Sequence, residues 1–342
     1  MIWIAVDAMG GDEGPATVVD GALAASRHFD LGVALVGPSA RLEEEVARHP
    51  GADAARVRIV HADEVVGMAE SPAAALRRKP TASIRVAAAA VARGEAAALF
   101  SAGHTGATVM AAHGAFGMLR GVDRPALAAT IPTRRGPAVL LDVGASVECR
   151  PPHLLQFAVM GTAYARVAFD IEQPRVSLLS IGEEETKGNE LTRDAHQLLK
   201  ASPVAFTGNL EARALYAGSA DVIVCDGFTG NVVLKVSEGL VEMVEDQLRE
   251  ELSSTLTMRV GSLLTRRALR HFRRKVDYSE YGGAPLLGLA GIVIVGHGRS
   301  SAKAVRNAVA MAYRFASRRF IERVEHDIAA AAIAAPAAAP RA

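Results

Sequence analysis

Residues 221–236, DVIVCDGFTGNVVLKV, decide how this chain is read. Val222, Ile223, Val224 and Cys225 form a short apolar run, the pattern of a strand buried on both faces. Asp226, Gly227, Phe228, Thr229 and Gly230 break it with two glycines, which let a backbone turn sharply and approach a ligand closely. From Asn231 the pattern turns helical, with Leu240, Val244, Leu248 and Leu252 four residues apart. A buried strand, a glycine-polar turn and a new helix gather unpaired N–H groups and the positive helix end at one spot. Such a spot favours an anion, phosphate above all. An ordinary strand-to-helix loop carries the same signature, so the case for a site depends on repetition.

The design occurs six times. Apolar runs lead into turns at Asp7 (with Gly10 and Gly11), Ser101 (with Gly103, His104 and Thr105), Asp142, Gly182, Asp226 and Gly296 (with His297). Further strands are expected at 31–36 and 57–60, and helices at 15–27, 40–48, 151–168 and up to residue 200. The last helix is given Ser300 as its N-cap. Strands alternating with helices predict the α/β class with a largely parallel sheet, and parallel topology gathers all six turns along one edge. That edge is the default ligand site.

Composition bounds the answer. The 342 residues suffice for one large α/β domain, and at 50% hydrophobic but 5% aromatic the core is built from Ala, Val and Leu. A net charge of +1 gives no overall field to recruit nucleic acid. Cys149 and Cys225 lie far apart without CxxC spacing, the N-terminus lacks a basic signal-peptide region, and the apolar run 284–295 is too short to span a bilayer. A cytoplasmic protein is expected. Residues 1–328 are read as a single α/β domain with a cleft and an amphipathic helical segment near 237–276, and 329–342 as a disordered Ala/Pro-rich tail.

The turns supply Asp, Asn, Ser, Thr, Lys and His, but no metal cluster, no GxxxxGK[ST] and no complete GxGxxG. His104 and His113, the closest histidines, are nine residues apart, and His104 reads as a hydrogen-bonding loop residue. Gly144-Ala145-Ser146-Val147-Glu148 misses the closing glycine of a nucleophile elbow, and Cys225 inside an apolar strand reads as core. Lys187, between three glutamates and Gly188-Asn189, is either a solvated loop lysine or part of the rim. Arg77, Arg78 and Lys79 gather charge before a helix starting near 81–83, with a solvated turn equally open. Residues 256–275 put Arg266, Arg267, Arg270, Arg273, Arg274 and Lys275 beside Leu263, Leu264, Leu269 and Phe272. That segment suits an acidic protein, an anionic membrane surface or a dimer partner. Such a rim fits a reaction in which the substrate brings its own nucleophile, as when inorganic phosphate attacks an activated acyl group.

VDAMGGD (6–12), SAGHTGA, LLDVGA, GEEETKGNE, DGFTGNVVLK, EYGGAPLLG and HGRSS, in this order across residues 2–316, resemble the bacterial PlsX-type phosphate acyltransferases. The resemblance implies transfer of a fatty acyl chain from acyl carrier protein to inorganic phosphate, giving acyl phosphate for a membrane glycerol-3-phosphate acyltransferase. It also implies a homodimer with the three-layer α/β/α sandwich of the isocitrate and isopropylmalate dehydrogenases, no cofactor or metal, and peripheral contact with the membrane. On that basis Lys187 is expected to hold phosphate or the developing oxyanion, and Asn231 to donate a hydrogen bond. Asp7, Gly10, Gly11, Ser101, Gly103, His104, Thr105, Asp142, Asn189, Asp226, Gly227, Thr229, Gly230 and His297 are the expected substrate-binding positions. His104 stands where the family has Asn or another small polar residue, Ser146 replaces an Asn, and Thr81-Ala82-Ser83 departs from Asp-Ser-Ser. The rival readings are a phosphotransacetylase-like enzyme using acyl-coenzyme A, a decarboxylating dehydrogenase, and a non-catalytic scaffold for a membrane acyltransferase.

Overall fold

Strands β1 (Ile2–Asp7) and β2 (Leu31–Gly37) are apolar along most of their length because helices cover both faces of the sheet they form. The computed structural model describes residues 1–255 and 282–334. With β3 (Val57–His61), β4 (Ala98–Ser101), β5 (Ala126–Leu127), β11 (Ala284–Leu287) and β12 (Ile292–Val295), they make a seven-stranded sheet ordered β3-β2-β1-β4-β12-β11-β5. A second sheet, ordered β6-β7-β10-β8-β9, is built from β6 (Ala129–Thr133), β7 (Gly136–Leu141), β8 (Arg175–Ser180), β9 (Ala205–Glu211) and β10 (Val222–Val224). Pairing is parallel except that β11 opposes both its neighbours and β6 opposes β7.

Side chains alternate across the first sheet. Ile4 and Val6 face helices α1 (Pro15–His28) and α9 (Ala302–Ser317), whereas Ala5 and Leu99 face α4 (Ser83–Ala92) and α5 (Thr105–Phe116). The second sheet packs one face on α6 (Pro151–Phe169) and α7 (Glu190–Lys200). Its other face meets Val233 and Leu234 of α8 (Gly227–Ser253). The result is the three-layer α/β/α sandwich, completed by α2 (Ser39–Ala47), α3 (Pro72–Arg78) and α10 (Phe320–Ala334). Each fully buried Val or Leu in these strands contributes about 1.5–3 kcal/mol. A bidentate pair, Arg175 Nε and Nη2 to Asp221 at 2.9 Å each, ties the start of β8 to the residue before β10.

Four expectations change. There are two sheets and two rims, because the chain steps from β5 to β6 at Ala128 and starts a second sheet there. The turns at Asp7, Ser101 and Gly296 belong to the first rim, and those at Asp142, Gly182 and Asp226 to the second. Helix α10 runs to Ala334 with Ala331 buried, so the helix extends six residues into the stretch read as tail; 335–342 lie outside the described residues. Helix α9 is capped by Ser301, whose hydroxyl accepts from the Ala304 N–H, and not by Ser300. On α8 the four-spaced Leu240, Val244 and Leu248 are exposed and add nothing to the core. The basic stretch 256–275 lies outside the described residues. Among the described residues no helix is long and apolar enough to cross a membrane.

Candidate active site

The two rims share a cleft of about 680 Å³, placed over the seam where β5 passes into β6. Leu127, Ala129 and Thr130 of the seam form part of its lining. The first rim contributes Gly103, Thr105, Gly106, Val109 and Met110, and, after β12, Gly296, His297 and Gly298. The second contributes Val143, Gly144 and Ala145 after β7, and one face of α8. Asn231, Leu234, Lys235 and Glu238 share that face because they stand at helical spacings of three and four. Most of the lining is apolar, with polar groups confined to a few positions.

Most of the N–H groups at the start of α8 have protein acceptors. The Gly227 N–H donates to the Ser146 carbonyl at 2.9 Å and the Gly230 N–H to the Asp226 carbonyl at 2.9 Å. Asp226 caps the helix, accepting from the Thr229 N–H at 2.9 Å and the Thr229 hydroxyl at 2.7 Å. Gly227 and Gly230 are there for contact between turns. A Cβ on Gly230 would lie 1.9 Å from the Asp142 carbonyl oxygen, and one on Gly227 2.6 Å from that of Ser146. Of the four N–H groups that open the helix, one is taken by the neighbouring turn and two by Asp226, which leaves the Phe228 N–H without an acceptor among the described residues.

Asp142 organises that neighbouring turn. Its Oδ1 accepts from the N–H groups of Leu127, Gly144 and Ala145 at 2.8, 3.0 and 2.9 Å, and its Oδ2 from that of Ser146 at 2.5 Å. Burial pushes its carboxyl above the ordinary value, opposed by these backbone donors. With both oxygens engaged, Asp142 shapes the wall of the cleft and does not present itself to substrate. Asp7, on the first rim, accepts from the Ser101 hydroxyl at 2.8 Å through Oδ2, and Ser101 in turn accepts from the Gly103 N–H at 3.1 Å. Burial raises the Asp7 carboxyl as well, and its Oδ1 has no hydrogen-bond partner among the described residues. Gly10 packs against Gly103 backbone to backbone, with 2.5 Å from a hypothetical Cβ to the Gly103 nitrogen. Gly11, at φ +99°, packs against the Gly298 carbonyl.

His104 caps α5. Its Nδ1 accepts from the Gly106 N–H at 3.1 Å, the position an Asn side-chain oxygen takes in such a cap. The side chain lines a separate cavity of about 10 Å³ with Asp7, Ser83 and Thr108, not the large cleft. At Thr105 the first N–H of the helix has no acceptor among the described residues, and Thr105 faces the cleft. His297 Nδ1 accepts from the Arg299 N–H at 3.3 Å, leaving Nε2 to carry the proton on a residue that lines the cleft. Asn189 caps α7 by accepting from the Thr192 N–H at 2.9 Å and stands apart from the lining.

Asn231 lies in the cleft, where Nδ2 donates to the Val143 carbonyl at 3.0 Å and packs over Gly144. Lys187 is exposed on the β8 turn, next to the β10 turn in the sheet but not among the residues lining the cleft. The lysine in the lining is Lys235, whose Nζ donates to Glu238 at 2.7 Å. Sequence reasoning passed over it, although its distance of four residues from Asn231 places both on one helix face. Thiol nucleophiles are absent from the lining. Burial pushes the Cys149 thiol up to about 11 and that of Cys225 well above its ordinary value. Among the described residues no group of three or more His, Cys, Asp or Glu is arranged to hold a metal ion.

Comparison with known proteins agrees with this architecture. Residues 2–323 match the family described as "Fatty acid synthesis protein". The chain is 52% identical over 328 residues to the phosphate acyltransferase of Nitratidesulfovibrio vulgaris (strain DP4), covering 96% of this chain and 95% of the relative. It is 48% identical over 333 residues to that of Geobacter sulfurreducens, again covering 96% and 95%. Its fold is similar to a phosphotransacetylase from Streptococcus pyogenes, at TM-score 0.63 and 18% identity over 93% of this chain and 94% of that one. It is also similar to 4-hydroxythreonine-4-phosphate dehydrogenase from Klebsiella pneumoniae, at TM-score 0.53 and 15% identity over 92% of this chain and 100% of that one. By family match and by identity along nearly its whole length, the chain belongs to the PlsX-type phosphate acyltransferases and is an acyltransferase that moves acyl groups onto phosphate.

Proposed function

We propose that the acyl donor is a fatty acyl thioester of acyl carrier protein, and that the acyl phosphate formed feeds a membrane glycerol-3-phosphate acyltransferase. The observation that carries this is the shape of the cleft: about 680 Å³, mostly apolar, with Thr105, Thr130, Asn231, Lys235, Glu238, His297 and Ser300 as the polar residues of its lining. A fatty chain needs the apolar walls, and phosphate and the thioester carbonyl need the donors. A phosphate oxygen attacks the thioester carbon, forming the C–O bond of the acyl phosphate as the C–S bond breaks and the sulfur leaves as thiolate. A thiol pKa of about 8.5 makes that thiolate a good leaving group without an acid beside it. In the tetrahedral intermediate charge builds on the former carbonyl oxygen, where prearranged N–H donors act most strongly.

Lys235 holds phosphate from the cleft wall, and Lys187 is the second cation, placed on the adjacent β8 turn. Asn231, the Thr105 N–H and the His297 Nε2–H are the donors for phosphate and the oxyanion. We assign the protein to the cytoplasm as a homodimer in peripheral contact with an anionic membrane. The test is thiol release from palmitoyl-acyl carrier protein with and without phosphate, beside palmitoyl-coenzyme A. Phosphate-dependent release from the carrier protein at the higher kcat/KM is expected. Release that ignores phosphate would refute the proposal, and a preference for coenzyme A would replace the donor.

A further inference from the structure

Met68 and Met110 are large apolar side chains left exposed, at 52% and 45%, and both line the cleft. They arrive from different elements. Met110 stands five residues beyond Thr105 on α5, which at the helical rise per residue is about 7.5 Å along the axis. Met68 belongs to the excursion between β3 and α4, residues 62–82.

That excursion is pinned on both sides of Met68. Glu70 Oε1 accepts from the Gly67 N–H at 2.8 Å and from Lys79 Nζ at 2.5 Å, and Lys79 Nζ also donates to the Val65 carbonyl at 2.7 Å. Lys79 holds the Glu70 carboxyl below its ordinary value. Further along, Glu64 Oε2 accepts from the Thr81 N–H at 2.9 Å and the Thr81 hydroxyl at 2.8 Å. The loop therefore presents Met68 at a fixed place. Apolar side chains left exposed on a concave, mostly apolar surface are contact area for a ligand, and unbranched thioethers adapt to flexible chains.

We propose that Met68, held by the Glu70–Lys79 clasp, and Met110 form the contact surface for the distal part of the acyl chain, and so set a preference for long chains over short ones. This rests on acyl transfer taking place in the cleft. With the thioester at the Thr105 end, a four-carbon chain stops short of Met110 while a sixteen-carbon chain passes it.

The experiment compares kcat/KM for butyryl and palmitoyl thioesters of the same acyl carrier protein in the unaltered chain, Met68→Ala, Met110→Ala and Lys79→Met. Each methionine variant is expected to lose roughly five- to tenfold with the palmitoyl donor and less than about twofold with the butyryl donor. Lys79→Met keeps Met68 but releases the clasp, and its palmitoyl-to-butyryl ratio falls in the same direction. Equal proportional losses with both donors, or unchanged ratios in both methionine variants, overturn the proposal. An unchanged ratio in Lys79→Met alone removes the clasp from it. If the unaltered chain shows no phosphate-dependent release with either donor, the acyl-transfer assignment itself fails and this proposal with it, a result seen before any variant is made.

Discussion

The rims that face each other across the cleft are built from the same strand-turn-helix unit and treat their polar groups in opposite ways. On the second rim Asp142 gathers four backbone N–H groups, Asp226 caps α8, and Gly227 and Gly230 let the two turns touch. On the first rim Asp7 binds Ser101 through one oxygen, its other oxygen has no partner among the described residues, and Thr105, whose N–H has no acceptor there, lines the cleft. A self-satisfied rim is rigid and serves as a wall. A rim with a donor to spare can give it to substrate. The comparison teaches that a glycine-polar turn after a buried strand marks a place where backbones come close, and only the hydrogen-bond inventory says whether the close partner is a ligand.

The largest effect expected from this contrast is on folding. Gly230→Ala puts a methyl group into the Asp142 carbonyl, and Asp142→Asn turns an amide donor toward N–H groups that need an acceptor. Each is expected to cost roughly 3 kcal/mol or more in urea unfolding, from overpacking in one case and unsatisfied buried donors in the other. Asp7→Asn, isosteric at a site with one oxygen already unpartnered, is expected to cost less than about 1 kcal/mol at pH 7. Equal losses at Asp142 and Asp7 would erase the distinction between the rims.

The second expectation concerns turnover. Lys235→Ala and Asn231→Ala are each expected to lower kcat/KM by about 2–3 kcal/mol of transition-state stabilisation with thermal midpoints nearly unchanged. Lys187→Ala, outside the cleft lining, is expected to lose less than Lys235→Ala and to act mainly on the KM for phosphate. The reverse order in steady-state assays would move the phosphate toward the β8 turn.

Much of this was open to inspection in the sequence. Runs such as Val222–Val224 and Ile292–Val295 show as strands because burial on both faces leaves no room for polar residues. Edge strands do not announce themselves: β5 has two residues, and β9 alternates exposed and half-buried positions under a mixed sequence. The split into two sheets turns on the step at Ala128, where small apolar residues carry no local signal and pairing with β11 and β7 decides the outcome. Lys235 was hidden in plain view, since its facing depends on where α8 begins. The Gly227 N–H at the α8 N-terminus is taken by the Ser146 carbonyl, eighty-one residues earlier, and no reading of the turn alone reveals it.

A third expectation sharpens the contrast through pH. Burial raises the Asp7 carboxyl above its ordinary 3.8, against the hydrogen bond from Ser101. The folded state then holds a proton that the unfolded chain releases, so the stability contributed is full below the ordinary value and falls as pH rises through the raised one. In Asp7→Asn that fall is absent. The difference in unfolding free energy between Asp7→Asn and the unaltered chain should therefore shift in favour of the variant as pH rises from about 3.8, the ordinary value of an aspartate. A difference that stays flat with pH would mean that Asp7 is ionised in the fold at no cost.

The smallest effect expected is at His104, the cap of α5 on the first rim. The Nδ1 atom accepts from the Gly106 N–H at 3.1 Å, two residues on, as an Asn Oδ1 would. If capping is its whole contribution, His104→Asn should leave stability within a few tenths of a kcal/mol, while His104→Ala should lose about 1 kcal/mol with the cap. Both variants should keep their phosphate KM, because the His104 side chain lines the small cavity beside Asp7 and Ser83 and not the large cleft. Thr105, which lines the cleft, is placed by the helix start, and Asn holds that start as well as His. A fall in kcat/KM for His104→Asn at unchanged stability would show that the ring reaches substrate, and would make the first rim a chemical surface in its side chains as well as its backbone.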